Sequence, residues 1–212
     1  MPVNGVRILF IGNSFTTKND FPNLLSVIAK IGQGITIDSK VISAGGASLR
    51  RHWNADAASI ITSAEWDYVV FQEQSTLPVK NSKRFHENVR EFMPIMKQSG
   101  ANMVLFMTWA RKDEPENQRL LTDSYNKIGE ELGATVVPVG IAWQRLLAEH
   151  DKPVLHAEDG SHPTVAGSYL AACTFYATLF DSDPTRLKTD VGNLTDGERE
   201  LLQRIARAAC KL

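Results

Sequence analysis

Val6-Arg7-Ile8-Leu9-Phe10-Ile11-Gly12-Asn13-Ser14-Phe15-Thr16 is the stretch that decides the fold. Apart from Arg7, every position from Val6 to Ile11 is apolar, and the run stops at Gly12. A short continuous apolar run is what a strand needs when helices cover both faces of a parallel sheet. Gly12 lets the chain turn tightly, and a polar Asn13-Ser14 pair follows where the strand leaves the sheet. Ligands of open α/β sheets bind at the carboxyl ends of the strands, so Ser14 stands where chemistry is commonly done. Taken alone, Asn13-Ser14 reads more simply as the cap of a turn.

The same alternation recurs outward from this strand. Residues 21–31 carry Leu24, Leu25, Ile28 and Ile31 at helical spacing, with Gly32 as the stop. Residues 35–42 read as a second strand running into Ser43-Ala44-Gly45-Gly46, and residues 48–63 as a helix. A third strand at 68–71 leads into Gln72-Glu73-Gln74-Ser75. Residues 82–98 form an amphipathic helix in which Pro94 predicts a kink or an irregular last turn. The fourth strand, 103–107, is followed by Thr108-Trp109-Ala110-Arg111, then by a helix from about Pro115 to a stop at Gly133. A fifth strand is expected at 135–139, and helices at 141–149, at 164–180 and from Thr195 to the end. Strands and helices alternating in this way predict a three-layer, doubly wound α/β fold with a parallel sheet of about five strands. The expected strand order is the flavodoxin-like 2-1-3-4-5, with right-handed crossovers and Ser14 at the crevice beside strand one. The whole of 1–212 reads as a single domain, since no repeat or linker interrupts the pattern.

Composition narrows the function classes. A net charge of −1 with scattered basic residues leaves no electrostatic footprint for nucleic acid. No apolar run approaches the length of a membrane span. The first strand begins a few residues after Met1, which points to the cytoplasm for the sequence as it stands, or to the periplasm or exterior if a leader has been removed. Cys173 and Cys210 have neither metal-ligand nor disulfide-framework spacing and read as small buried hydrophobes. Oligomeric state has no signature in the sequence.

The informative distant segment is His156-Ala157-Glu158-Asp159-Gly160-Ser161-His162-Pro163-Thr164. An aspartate three residues before a histidine, on a loop opened by glycine, can bond the imidazole, fix its tautomer and stabilise the imidazolium. Facing a serine from another loop, such a histidine completes a nucleophile, base and orienter set. Ser14, Gly45-Gly46, Gln72-Glu73-Gln74 and the Asp159–His162 loop all follow strands whose ends converge on one sheet edge. Acyl transfer there needs donors aimed at a developing oxyanion. The Ser14 N–H, the Gly46 N–H and a side-chain amide of Gln72 or Gln74 are the candidates.

These segments resemble the blocks of the SGNH (GDSL-like) hydrolases. Ile11-Gly12-Asn13-Ser14-Phe15-Thr16 looks like the first block with its nucleophilic serine, and Gly46 matches the second-block glycine. Asp159-Gly160-Ser161-His162-Pro163 looks like the last block with its Asp-Xaa-Xaa-His. The resemblance implies Ser14 as nucleophile, His162 as general base, Asp159 as its orienter, a flavodoxin-like sheet and no cofactor. Two departures stand out. Asn13 replaces the aspartate of the commoner Gly-Asp-Ser, and Gln72-Glu73-Gln74-Ser75 stands where Gly-Xaa-Asn-Asp is usual. The latter is similar to the Gln-Gly-Glu segment of some carbohydrate-esterase branches. Gln72 is preferred slightly over Gln74 as the oxyanion donor.

Asn13, Glu73 and Trp109 are candidate substrate contacts, each with an alternative: Asn13 can instead hold the turn, Glu73 can instead orient neighbouring loops, and Trp109 stacks on a sugar if exposed but only fills the core if buried. The expected function is a serine esterase for small or carbohydrate-linked acyl esters, acetyl foremost. An acyltransferase using the same triad and a non-catalytic sugar- or nucleotide-binding module are the alternatives. Two rival enzymatic schemes rank lower: a metal held by His156, Asp159 and His162, and a glycosidase using Glu73 and Asp159.

Overall fold

The computed structural model describes residues 5–190 and 193–210. Its elements run β1 (Gly5–Gly12), α1 (Ser14–Thr17), α2 (Phe21–Gln33), β2 (Thr36–Ser43), α3 (Leu49–Asn54), α4 (Ala57–Thr62), β3 (Tyr68–Phe71), α5 (Leu77–Lys80) and α6 (Ser82–Ser99). They continue with β4 (Asn102–Phe106), α7 (Asn117–Leu132), β5 (Thr135–Val137), α8 (Val139–Glu149), α9 (Val165–Phe180) and α10 (Asp196–Ala209). The strands form one five-stranded sheet in the order β2-β1-β3-β4-β5, and every pairing is parallel. This is the order expected from the sequence.

The apolar run of β1 works as its composition requires. Ile8, Leu9, Phe10 and Ile11 are all fully buried, and successive side chains enter opposite layers. Ile8 and Phe10 join Val70, Val104, Phe106 and Val137 under α2, α8, α9 and α10. Leu9 and Ile11 join Val69, Phe71, Leu105 and Met107 under α4, α6 and α7. Two cores therefore sandwich the sheet, and the register Ile11↔Phe71 brings the ends of β1 and β3 side by side. Among the described residues, no helix is long and apolar enough to cross a membrane.

Several element boundaries differ from expectation, each for a local reason. The helix expected at 48–63 is broken into α3 and α4, with Asp56 in the left-handed region at φ 66°. Gly32 lies inside α2, where an added Cβ would meet the Tyr176 hydroxyl at 2.2 Å, and Gly34 at φ 69° is the residue that ends the helix. β5 stops at Val137 because Pro138 has no N–H for the ladder, so α8 begins at Val139. α6 runs unbroken through Pro94 to Ser99. α7 starts at Asn117, two residues after Pro115, and α10 ends at Ala209. Cys173 and Cys210 are both free; Cys173 is buried and Cys210 half-buried against Thr178.

Candidate active site

Ser14 leaves β1 as the first residue of α1, with Asn13 as its N-cap. The Asn13 carboxamide accepts from the Phe15 N–H at 3.1 Å and donates through Nδ2 to the Ala47 carbonyl at 3.0 Å. The second bond ties the serine turn to the loop carrying Gly46. At the other side of the turn, the Gln72 Oε1 accepts from the Asn13 N–H at 2.9 Å and from the Thr16 hydroxyl at 3.0 Å. The Gly12 carbonyl accepts from His52 Nε2 at 2.7 Å, and burial holds that imidazole below its ordinary pKa, in the neutral form. An added Cβ on Gly12 would lie 2.4 Å from the Thr16 hydroxyl and 2.7 Å from Gln72 Oε1, so only glycine fits there.

The Asp159–His162 loop meets this turn from the far end of the chain. Its backbone is fixed by Ala157 N–H to His162 carbonyl at 2.8 Å and by Lys112 N–H to Gly160 carbonyl at 2.9 Å. Trp109 adds an indole N–H bond to the Ser161 carbonyl at 3.0 Å, and Gly160 takes φ 65° at the bend. Asp159 Oδ1 accepts both the Ser161 and the His162 N–H at 2.9 Å. Its Oδ2 faces His162 Nδ1 at 2.5 Å, and His162 Nε2 faces Ser14 Oγ at 2.7 Å. A carboxylate accepts only, so Nδ1 carries the proton and Nε2 is left to accept from the serine hydroxyl. The bond from His162, followed by the two backbone donors, holds the Asp159 carboxyl well below the usual carboxylate range. It remains ionised far into acid. Phe15 packs against the His162 ring at 5.3 Å between centroids.

The donors around Ser14 are distributed differently from expectation. The Ser14 N–H opens a helix and has no acceptor within it. Gly46, at φ 62°, is exposed, has open space around its Cα, and its N–H has no partner among the described residues. Gln72, the preferred glutamine, is fully buried and committed: Oε1 takes two donors, and Nε2 donates to the Glu73 carbonyl. Gln74 is half-buried, and its Oε1 accepts from the Thr76 N–H, the Thr76 hydroxyl and the Leu77 N–H at 2.9–3.1 Å. Three donors on one oxygen fix the orientation of the amide and leave Nε2 as a free donor among the described residues.

The three expected substrate contacts do not reach solvent. Asn13 is 2% exposed and Glu73 0%, each turned into the loops. Trp109 is 3% exposed, stacked on Trp143 at 3.8 Å with 5° between the planes, so it packs the core instead of presenting a face to a sugar. Glu73, held by three donors inside the fold, is not placed as a glycosidase acid. His156 is buried and donates through Nε2 to the Ala110 carbonyl at 3.0 Å, away from the Asp159–His162 pair. Among the described residues no three His, Cys, Asp or Glu side chains converge as a metal-holding group. The sequence reading missed His52 and Thr16 as parts of this site, because their bonds reach across the fold and leave no local signal.

No family model and no curated protein matches the chain. Solved structures do. A protein assigned to the SGNH hydrolases from Slackia heliotrinireducens is 26% identical over 83% of this chain and 100% of its own, with a TM-score of 0.71. A DUF4886 family protein from Bacteroides uniformis is 19% identical over 97% of this chain and 94% of its own, with a TM-score of 0.74. Axe2, an acetylxylan esterase from Geobacillus stearothermophilus, is 18% identical over 84% of this chain and 96% of its own, with a TM-score of 0.62. The fold of this chain is that of the SGNH hydrolases.

Proposed function

We propose that this chain, with its SGNH-hydrolase fold, is a serine esterase that cleaves small or carbohydrate-linked O-acyl esters, acetyl esters foremost. The observation that carries the reading is the unbroken line from Ser14 Oγ through His162 to Asp159, at 2.7 Å and 2.5 Å. The acetylxylan esterase among the similar folds supports an acetylated carbohydrate as substrate class.

In this scheme Ser14 Oγ attacks the ester carbonyl while His162 Nε2 takes its proton, and Asp159 stabilises the imidazolium. The Ser14 N–H, the Gly46 N–H and the Gln74 Nε2 donate to the resulting oxyanion. Gln74 replaces Gln72 in this role because its amide nitrogen is the free one. His162 then protonates the leaving alcohol, water enters, and His162 acts again as base to release the acid and restore Ser14. The side chain of His162 is 32% exposed, which leaves a path for that water.

Labelling with a fluorophosphonate followed by peptide mass spectrometry tests the scheme. An adduct on Ser14 that disappears in His162→Ala is the expected result. Ester hydrolysis that survives intact in Ser14→Ala would overturn it.

A further inference from the structure

Glu73 is the sole acidic side chain among the described residues that is buried, with no exposure at all. No cation pairs with it there. A buried carboxylate without a counter-charge is costly, and such groups are kept where their geometry is used. Its three partners are all hydrogen-bond donors from three different segments. Oε1 accepts the Leu49 N–H at 3.0 Å and the Gln74 N–H at 2.7 Å, and Oε2 accepts Asn88 Nδ2 at 2.8 Å.

The identity of the two backbone donors is the informative part. Leu49 begins α3 and directly follows Gly45-Gly46-Ala47-Ser48. Gln74 lies three residues beyond the end of β3 and carries the free amide nitrogen described above. One carboxylate oxygen therefore binds the loop of Gly46 to the loop of Gln74. The second oxygen anchors that junction to α6 through Asn88, whose Oδ1 faces Arg50 Nε at 3.4 Å, and Arg50 pairs with Glu91. Asn13, through the Ala47 carbonyl, joins the same junction to the Ser14 turn.

We propose that Glu73 is a positioning residue, which sets the spacing between the Gly46 N–H and the Gln74 amide so that both donors meet the oxyanion. The inference rests on the esterase reading above and deepens it. Donors that are misplaced weaken the transition state and leave ground-state binding nearly untouched, so the effect falls on kcat. In Glu73→Gln the amide oxygen keeps both backbone donors, and Asn88 can turn its own amide to meet the new NH2, giving up only the 3.4 Å contact of its oxygen with Arg50 Nε, which lies outside the junction of the two loops. In Glu73→Ala both loops lose their shared acceptor. Asn88→Ala removes the anchor to α6 and keeps the junction between the two loops.

The experiment measures kcat and KM for p-nitrophenyl acetate, with a thermal melt of each variant as the control for folding. Glu73→Ala is expected to lower kcat by about 10²-fold with KM within about twofold of wild type. Glu73→Gln is expected to stay within about fivefold of wild-type kcat, and Asn88→Ala likewise, even with a lowered melting temperature. A merely structural carboxylate would make kcat follow the melting temperature across all three, which overturns the proposal. So does a folded Glu73→Ala with wild-type kcat, or a Glu73→Gln as slow as Glu73→Ala. If Glu73→Ala does not fold, Glu73→Leu takes its place as a variant of similar bulk without an acceptor. If neither folds, Glu73→Gln decides, and a 10²-fold loss of kcat in it refutes the assignment. A wild type that neither hydrolyses the ester nor is labelled at Ser14 tells against the esterase reading itself; an active wild type with an unaffected Glu73→Ala tells against this inference alone.

Discussion

Asn13 differs by one terminal group from the aspartate of the commoner Gly-Asp-Ser pattern, and that group has a partner: Nδ2 donates to the Ala47 carbonyl at 3.0 Å. Asn13→Asp would set a carboxylate oxygen against a carbonyl in a site that is 2% exposed. A loss of about 1–3 kcal/mol in urea unfolding is expected, together with a lowered kcat as the Gly46 loop loosens; unchanged stability would deny the bond its role. Asp159→Asn acts through a different route. Because both backbone donors sit on Oδ1, the amide oxygen stays with them and its NH2 turns toward His162 Nδ1. The ring must then carry its proton on Nε2 and can no longer accept from Ser14. A fall in kcat of about 10³–10⁴-fold is expected in an ester assay, with little further loss when Ser14→Ala is added. Glu73 supplies a pH signature. Burial raises its carboxyl pKa in the folded protein above its ordinary value, against the pull of its three donors. Raised binding of a proton in the native state means that stability falls as pH rises, from about 4.3 up through the folded value. The stability of wild type minus that of Glu73→Gln, followed by urea midpoints, should decline across that window and level off above it. A difference that grows with pH would mean that the donors outweigh burial.

At the scale of elements, what could be read in advance is what depends on neighbours in the chain. β1, β3 and β4 are apolar runs whose residues are buried in both layers, and their continuous patterns were legible for that reason. β2 is an edge strand, exposed over most of its length, and its register follows from pairing with β1 rather than from its own pattern. The break between α3 and α4 turns on Asp56 adopting a left-handed conformation, which nothing in a helical periodicity announces. Gly32 looked like a helix stop, yet its role is to admit the Tyr176 hydroxyl from α9. Helix ends that rest on local chemistry fare better. Thr195 opens α10 with a capping box: its hydroxyl accepts the Glu198 N–H at 3.3 Å, and Glu198 Oε2 accepts the Thr195 N–H at 2.8 Å. Thr195→Ala removes half of that exchange, far from the Ser14 turn. It should cost about 1 kcal/mol in urea unfolding and leave kcat/KM of an ester unchanged. A coupled loss of activity would mean that α10 reports to the site.

Across the whole molecule, the candidate site divides along the same line. Ser14, Asp159 and His162, the residues of the proposed triad, could be singled out in the sequence because Asp159-Xaa-Xaa-His162 is a short segment with its own chemistry, beside which the strand-end serine gains meaning. The choice between Gln72 and Gln74 was not visible, because it depends on which amide is consumed by the Asn13 and Thr16 donors from the neighbouring strand end. For Glu73 the sequence leaves open a substrate contact and a loop-orienting role for the same reason: its bond to Gln74 is local, but those to Leu49 and Asn88 exist only once the elements are assembled. The assembled site has one further global property. The chain carries a net charge of −1, and the acid beside the site, Asp159, is bonded to His162 at 2.5 Å, inside a screening length of about 8 Å at physiological ionic strength. Salt therefore has little to screen between Asp159 and His162, and a neutral ester carries no net charge on which the field of the protein could act at long range. Raising potassium chloride from about 0.05 to 0.5 M shortens the screening length roughly threefold, yet kcat/KM for p-nitrophenyl acetate is expected to change by less than about twofold. A tenfold decline over that range would mean that screened ion pairs on the surface hold the site in its working arrangement. The reaction would then depend on the distribution of surface charge, and the short line of bonds from Ser14 to Asp159 would no longer suffice to account for it.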